Sequence, residues 1–129
     1  MISGVHHIAL KAKGLEQFQK TIGFYHDILK MPILRSWGTE QAPAAMLSTG
    51  DAMLEIFSDA PDELSAGALR HLAFAVKDTD ACVKAVREAG YQITMEPTDI
   101  SIPSVPPLPA RIAFCIGPVG EEVEFFQEL

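Results

Sequence analysis

The chain has 129 residues, which on length alone is one domain and can bury a core without disulfide or metal staples. With 48% hydrophobic and 21% charged residues it has the composition of a folded globular protein and not of a disordered one. Net charge is −7, and lysines and arginines are scattered without a basic run, so phosphate backbones and anionic membrane surfaces are excluded as expected partners.

Cys82 and Cys115 are the only cysteines. Each falls in an apolar element and fits a small buried hydrophobe better than a secreted disulfide framework. No signal peptide opens the chain, and no apolar run reaches the ~20 residues of a membrane helix, so the expected location is the cytoplasm.

Val5 to Leu10 is short, apolar and bounded by glycines, and is expected to be a strand. A helix is expected over Leu15–Met31. Leu15, Phe18, Ile22, Tyr25 and Leu29 form its stripe, and Pro32 closes it. Ile33–Trp37, Ala44–Thr49 and Met53–Phe57 are three further strands, separated by Gly38, Pro43 and Gly50-Asp51. Residues 58–69 are polar and turn-rich and are expected to link two halves.

The pattern then restarts. Arg70–Val76 is a strand, Asp78 caps a helix that runs to Ala89, and Gly90 stops it. Tyr91–Met95, Arg111–Ile116 and Glu122–Gln127 are the following strands. The expected organisation is a single domain over 1–129, with module one at about 4–57 and module two at about 70–127. Ile100–Pro109 carries four prolines and is expected to be a stiff loop, either a wall of a substrate pocket or a rigid surface connection.

The halves repeat in residues as well as in order. His7-Ile8-Ala9-Leu10 matches His71-Leu72-Ala73-Phe74, and Leu54-Glu55-Ile56-Phe57 matches Val123-Glu124-Phe125-Phe126. The histidines are 71 − 7 = 64 residues apart and the glutamates 124 − 55 = 69, so a small indel separates two copies of one plan.

Strand alternation puts each His and Glu, with small alanines, on one sheet face, and bulky apolar residues on the face a helix would cover. An ionised Glu among bulky apolar neighbours is costly unless paired or coordinated. Imidazole nitrogen with carboxylate oxygen suits a divalent first-row ion, so His7, Glu55, His71 and Glu124 are the candidate ligands of one Zn, Ni, Co, Mn or Fe per chain. His6 is assigned to the helix-packed face and His26 to a helix surface beside Asp27. Arg111 shares strand phase with Ala113 and Cys115, and either receives an anionic substrate group or makes a structural ion pair.

Val5–Leu10, Phe24–Leu29, Arg70–Val76 and Gly117–Glu124 together resemble the vicinal oxygen chelate superfamily, which includes glyoxalase I, methylmalonyl-CoA epimerase, extradiol dioxygenases and fosfomycin and bleomycin resistance proteins. The resemblance covers nearly the whole chain. It implies an α+β fold of two tandem βαβββ modules whose curled mixed sheets enclose a metal-binding cavity. The ligand order His, Glu, His, Glu is similar to glyoxalase I, whereas dioxygenases and fosfomycin enzymes use three ligands. Ile56–Ala60 departs from the glutathione-contacting stretch of glyoxalase I, and Gly14 stands where many relatives have Asp.

The implied activity is that of a metal-dependent isomerase, epimerase or lyase. It would chelate vicinal oxygens of a small substrate and move a proton through an enediolate, with Glu124 or Glu55 as the base. The alternatives are a small-molecule binding protein of the antibiotic-resistance type and an Fe(II) extradiol-type dioxygenase. A homodimer is expected from the same resemblance.

Overall fold

Each half of the chain builds a four-stranded mixed sheet with one helix. The computed structural model describes residues 1, 5–63 and 71–129. The expected linker from residue 64 onward, the strand start at Arg70, and Gly4 at the start of module one lie outside the described residues. Chain contacts divide the molecule into two units, Met1–Ser65 and Ala66–Leu129.

In the first unit β1 (His7–Lys11) is followed by α1 (Gly14–Ile22), β2 (Ile33–Gly38), β3 (Pro43–Ser48) and β4 (Met53–Phe57). The sheet order is β1-β4-β3-β2, with β1 parallel to β4 and the other neighbours antiparallel. In the second unit β5 (Leu72–Ala75), α2 (Thr79–Glu88), β6 (Ile93–Ile102), β7 (Leu108–Ile116) and β8 (Glu122–Glu128) follow the same plan, with order β5-β8-β7-β6. The fold is therefore α+β, with two βαβββ modules whose sheets are open and not closed into barrels.

The cores lie where alternation demands. In β4, Leu54 and Ile56 are buried, and in β8 so are Val123 and Phe125. Phe18, Phe24 and Tyr25 supply the helical side of module one, and Val83 and Val86 that of module two. Full burial of one such side chain is worth roughly 1.5–3 kcal/mol. Asp78 accepts a 2.9 Å hydrogen bond from the Ala81 amide, so α2 has the expected cap, and Gly90 ends it at φ 89°.

The expected helix over Leu15–Met31 is more elaborate. From Gly23 to Ile28 its turns widen to π geometry, and the Leu29 amide bonds the Phe24 carbonyl at 3.1 Å. Lys30 then turns the chain at φ 62° before Pro32. The proline-rich segment also differs from expectation. β6 runs on through Pro97 to Ile102, and β7 starts at Leu108 and includes Pro109, so only the hairpin tip is irregular. Pro97 is tolerated because it falls in a register shift between Met95 and Thr98. Pro109 has no amide hydrogen to lose, and its carbonyl accepts from the Leu129 amide at 3.1 Å.

Candidate metal centre

Register fixes what shares a sheet face in module one. Ala9 lies beside Glu55 on β4, and Glu55 lies opposite Met46 on β3. His7 is two residues before Ala9 and therefore on the same face. Its Nε2 stands 3.5 Å from Glu55 Oε2, with the imidazole 39% exposed and the carboxylate 12%. His7 also meets His6, the two Nδ1 atoms sharing a hydrogen at 2.8 Å. His6 was assigned to the helix-packed face. It is instead exposed and turned onto its neighbour, while its carbonyl accepts from the Met53 amide at 3.1 Å.

Module two repeats the construction. Ala73 on β5 lies beside Glu124 on β8, and Glu124 lies opposite Phe114 on β7. His71, just before β5, places Nε2 3.1 Å from Glu124 Oε2. Glu124 is buried, and burial holds its carboxyl above the ordinary glutamate range. His71 pulls the other way, and Glu122 adds to the rise. The His71 ring packs edge-on against Phe114, with centroids 5.5 Å apart. Phe114 and its module-one counterpart Met46 have no polar chemistry, so only strand register could have marked them as neighbours of the glutamates.

Each module thus brings together its own His and Glu. Among the described residues no group of three or more His, Cys, Asp or Glu is gathered closely enough to hold an ion. Each module offers two donors. The donor chemistry, imidazole nitrogen with carboxylate oxygen on a face lined by alanine, fits a divalent first-row cation.

Arg111 stands elsewhere. Its Nε and Nη2 fork onto Asp80 at 2.6 and 2.9 Å, and Nη1 reaches Asp99 at 2.8 Å. Asp80 belongs to α2, and Arg111 lies opposite Gln127, which accepts from the Thr79 amide at the start of α2. Arg111, Ala113 and Cys115 therefore face the helix, away from His71 and Glu124. The small-residue phase on β7 is the covered side, and the ion-pair alternative is the one the geometry favours. His26 sits in the π-helical segment, where Nδ1 donates to the Met31 carbonyl at 2.8 Å and Nε2 lies 3.9 Å from Asp27. Cys82 and Cys115 are free thiols, and burial pushes Cys115 up to about 12.

The comparison that decides the family is a match of residues 4–102 to the model of the Glyoxalase/Bleomycin resistance protein/Dioxygenase superfamily. The chain belongs to this superfamily. Among solved structures, a glyoxalase family protein from Enterococcus faecalis is similar at 26% identity and TM-score 0.69, with 96% of this chain and 97% of that one covered. Two others share the fold at 20% identity. They are the fosfomycin resistance protein FosX from Listeria monocytogenes, solved with Mn(II) and sulfate (TM-score 0.74, covering 98% and 93%), and the trypanothione-dependent glyoxalase I of Leishmania major (TM-score 0.73, covering 98% and 87%). No curated protein is significantly similar in sequence. Among the described residues no helix is long and apolar enough to cross a membrane.

Proposed function

We propose that the chain is a glyoxalase-like metalloenzyme, an isomerase, epimerase or lyase acting on a small compound with two adjacent oxygens. The observation that carries this is the repeated pair: His7 with Glu55 at 3.5 Å, and His71 with Glu124 at 3.1 Å, at matching positions of two modules. Neither pair alone is a full ligand set, and the two half-sets are complementary in number and type. In this reading 1–129 acts as one domain, His7, Glu55, His71 and Glu124 are the ligands of one ion per chain, the two pairs coming from one chain or from two, and two chains form a homodimer. The Mn(II) held by FosX, which has the same fold, supports a divalent ion.

An ion held by these residues would supply a Lewis acid that polarises two adjacent substrate oxygens and offsets negative charge developing on them. The chain's own residues do the rest. Histidine nitrogens hold position without adding charge. Glu124 is the stronger candidate base, because burial keeps its carboxyl more basic than an exposed glutamate. Glu55, the matching residue of module one, is the alternative base for a substrate of the other hand. The alanines at 9 and 73 leave space beside the acidic groups.

Deuterium exchange at the carbon next to a carbonyl, in metal-loaded protein, tests the acid–base role. Glu124→Gln or Glu55→Gln should slow exchange by ~10²-fold or more, the scale of losing a general base. Unchanged exchange in both single variants and the double variant would mean that the carboxylates are only ligands, as in a small-molecule binding protein. Sedimentation at micromolar concentration tests the dimer, and a strict monomer would contradict it.

A further inference from the structure

The ligand-bearing face of module one continues past Glu55 across two more strands. Met46 on β3 lies opposite Glu55, and Arg35 on β2 lies opposite Met46. One row across the face therefore reads Ala9, Glu55, Met46, Arg35. The adjacent row is Lys11, Phe57, Ala44, Trp37, and Trp37 meets Phe57 edge-on with centroids 6.0 Å apart. At two strand spacings the Arg35 backbone is about 10 Å from that of Glu55.

Arg35 is also unlike the other described arginines. Arg87 is paired with Glu96, and Arg111 with Asp80 and Asp99. The Arg35 side chain is exposed and has no ion-pair or hydrogen-bond partner among the described residues, in a chain of net charge −7. The repeat supplies a comparison within the molecule. In module two the corresponding row is Ala73, Glu124, Phe114, Met95, so a methionine stands where module one has Arg35. The two rows share their small residue and their glutamate and differ in this charge, while the other cation of the module-one face, Lys11, is paired with Asp59 at 3.2 Å.

We propose that Arg35 is a substrate-binding residue that receives a second, anionic group, a carboxylate or phosphonate, at the end of the substrate remote from its chelating oxygens. Trp37 and Phe57 form the apolar margin beside that group. Guanidinium is suited to the task because its planar fork meets both oxygens of such an anion at once. A cation without a partner among the described residues at this place in one module, where the other has Met95, gives the site a direction, so an asymmetric substrate binds one way round. This substrate class rests on the reading above that the face carrying His7 and Glu55 holds the chelating end.

The test compares 2-hydroxyglutarate with its terminal amide, 2-hydroxyglutaramate. The two share the chelating hydroxyacid and differ in the remote charge. Trp37 is the single tryptophan, so its fluorescence reports binding directly. The comparison is made on metal-free and Mn-loaded full-length protein, with metal content measured on the same samples. Wild type should bind the diacid about 10-fold or more tighter than the amide, the scale of a charge-assisted hydrogen bond to a carboxylate. Arg35→Met, which copies module two, should remove that preference, weakening the diacid far more than the amide, while leaving metal uptake unchanged. Arg35→Lys, which keeps the charge and loses the fork, should fall between. A phosphonate in place of the terminal carboxylate shows which anion is preferred. Loss of the preference in Arg35→Met supports the proposal whether or not metal is held, and absence of metal counts only against the metal reading. Equal binding of the two acids by wild type, binding of neither, or a preference that survives Arg35→Met would overturn it.

Discussion

His71 Nε2 lies 3.1 Å from Glu124 Oε2 although the two residues are more than fifty positions apart and belong to neighbouring parallel strands. The strand pairing explains it. β5 and β8 are in register with Ala73 beside Glu124, so the residue two places before Ala73 leans over the carboxylate. β1 and β4 pair the same way, and His7 meets Glu55 by the same construction. This geometry depends on each sheet being held firmly by the opposite, helix-covered face.

Ile56 is fully buried one residue from Glu55, whereas Ile33 on the edge strand β2 is 40% exposed. Ile56→Ala should cost about 2–5 kcal/mol, the range for emptying a packed core position. Ile33→Ala should cost much less. Urea unfolding of both variants checks this, and equal losses would show that the helix does not support β4 as described.

Helix α2 begins at Asp78, whose carboxylate caps the Ala81 amide, while α1 has no side-chain cap at Lys13. Asp78→Ala should therefore destabilise by about 1 kcal/mol. The same measurement on Lys13→Ala should show no capping loss, only any change from its contact with Asp62.

Arg111 gives the pH dependence a definite sign. Its hydrogen bonds hold the Asp80 carboxyl below the usual aspartate range. A depressed carboxyl contributes stability that is fully present above its unfolded value, near ~3.9, and is lost as pH falls through the lower folded value. Arg111→Met should thus lower the urea midpoint at neutral pH. Its deficit should shrink as the solution is taken below about pH 4. A deficit independent of pH would mean that Arg111 acts through packing alone.

The candidate ligands were legible because of the internal repeat. His-x-Ala and apolar-Glu-apolar recur in order, and strand alternation puts each pair on one face. β4 at Met53–Phe57 and the Asp78 cap were legible for local reasons, a short apolar run after Gly50-Asp51 and a capping residue before an apolar stripe. What the sequence did not disclose was register. Pro97 suggests a break until the shift that accommodates it is seen. The phase of β7, hence the side on which Arg111 lies, depends on pairing with β8 and α2. Arg35 carries no sequence signal for the same reason, since its place in the row from Glu55 emerges only through two successive pairings and an irregularity at Leu34. The π-helical widening at Gly23–Ile28 has no periodicity signal of its own, because the apolar stripe continues through it.

The central claim is that the two His–Glu pairs together hold one divalent ion. The direct measurement is metal content after loading with Zn, Ni or Mn and exhaustive desalting, on wild type, His7→Ala, His71→Ala and the double variant. The account predicts about one ion per chain for wild type, weaker retention when either module loses its histidine, and release from the double variant, with a circular dichroism spectrum that shows each variant still folded. Retention of a full equivalent by a folded double variant would place the ligands elsewhere and contradict the account.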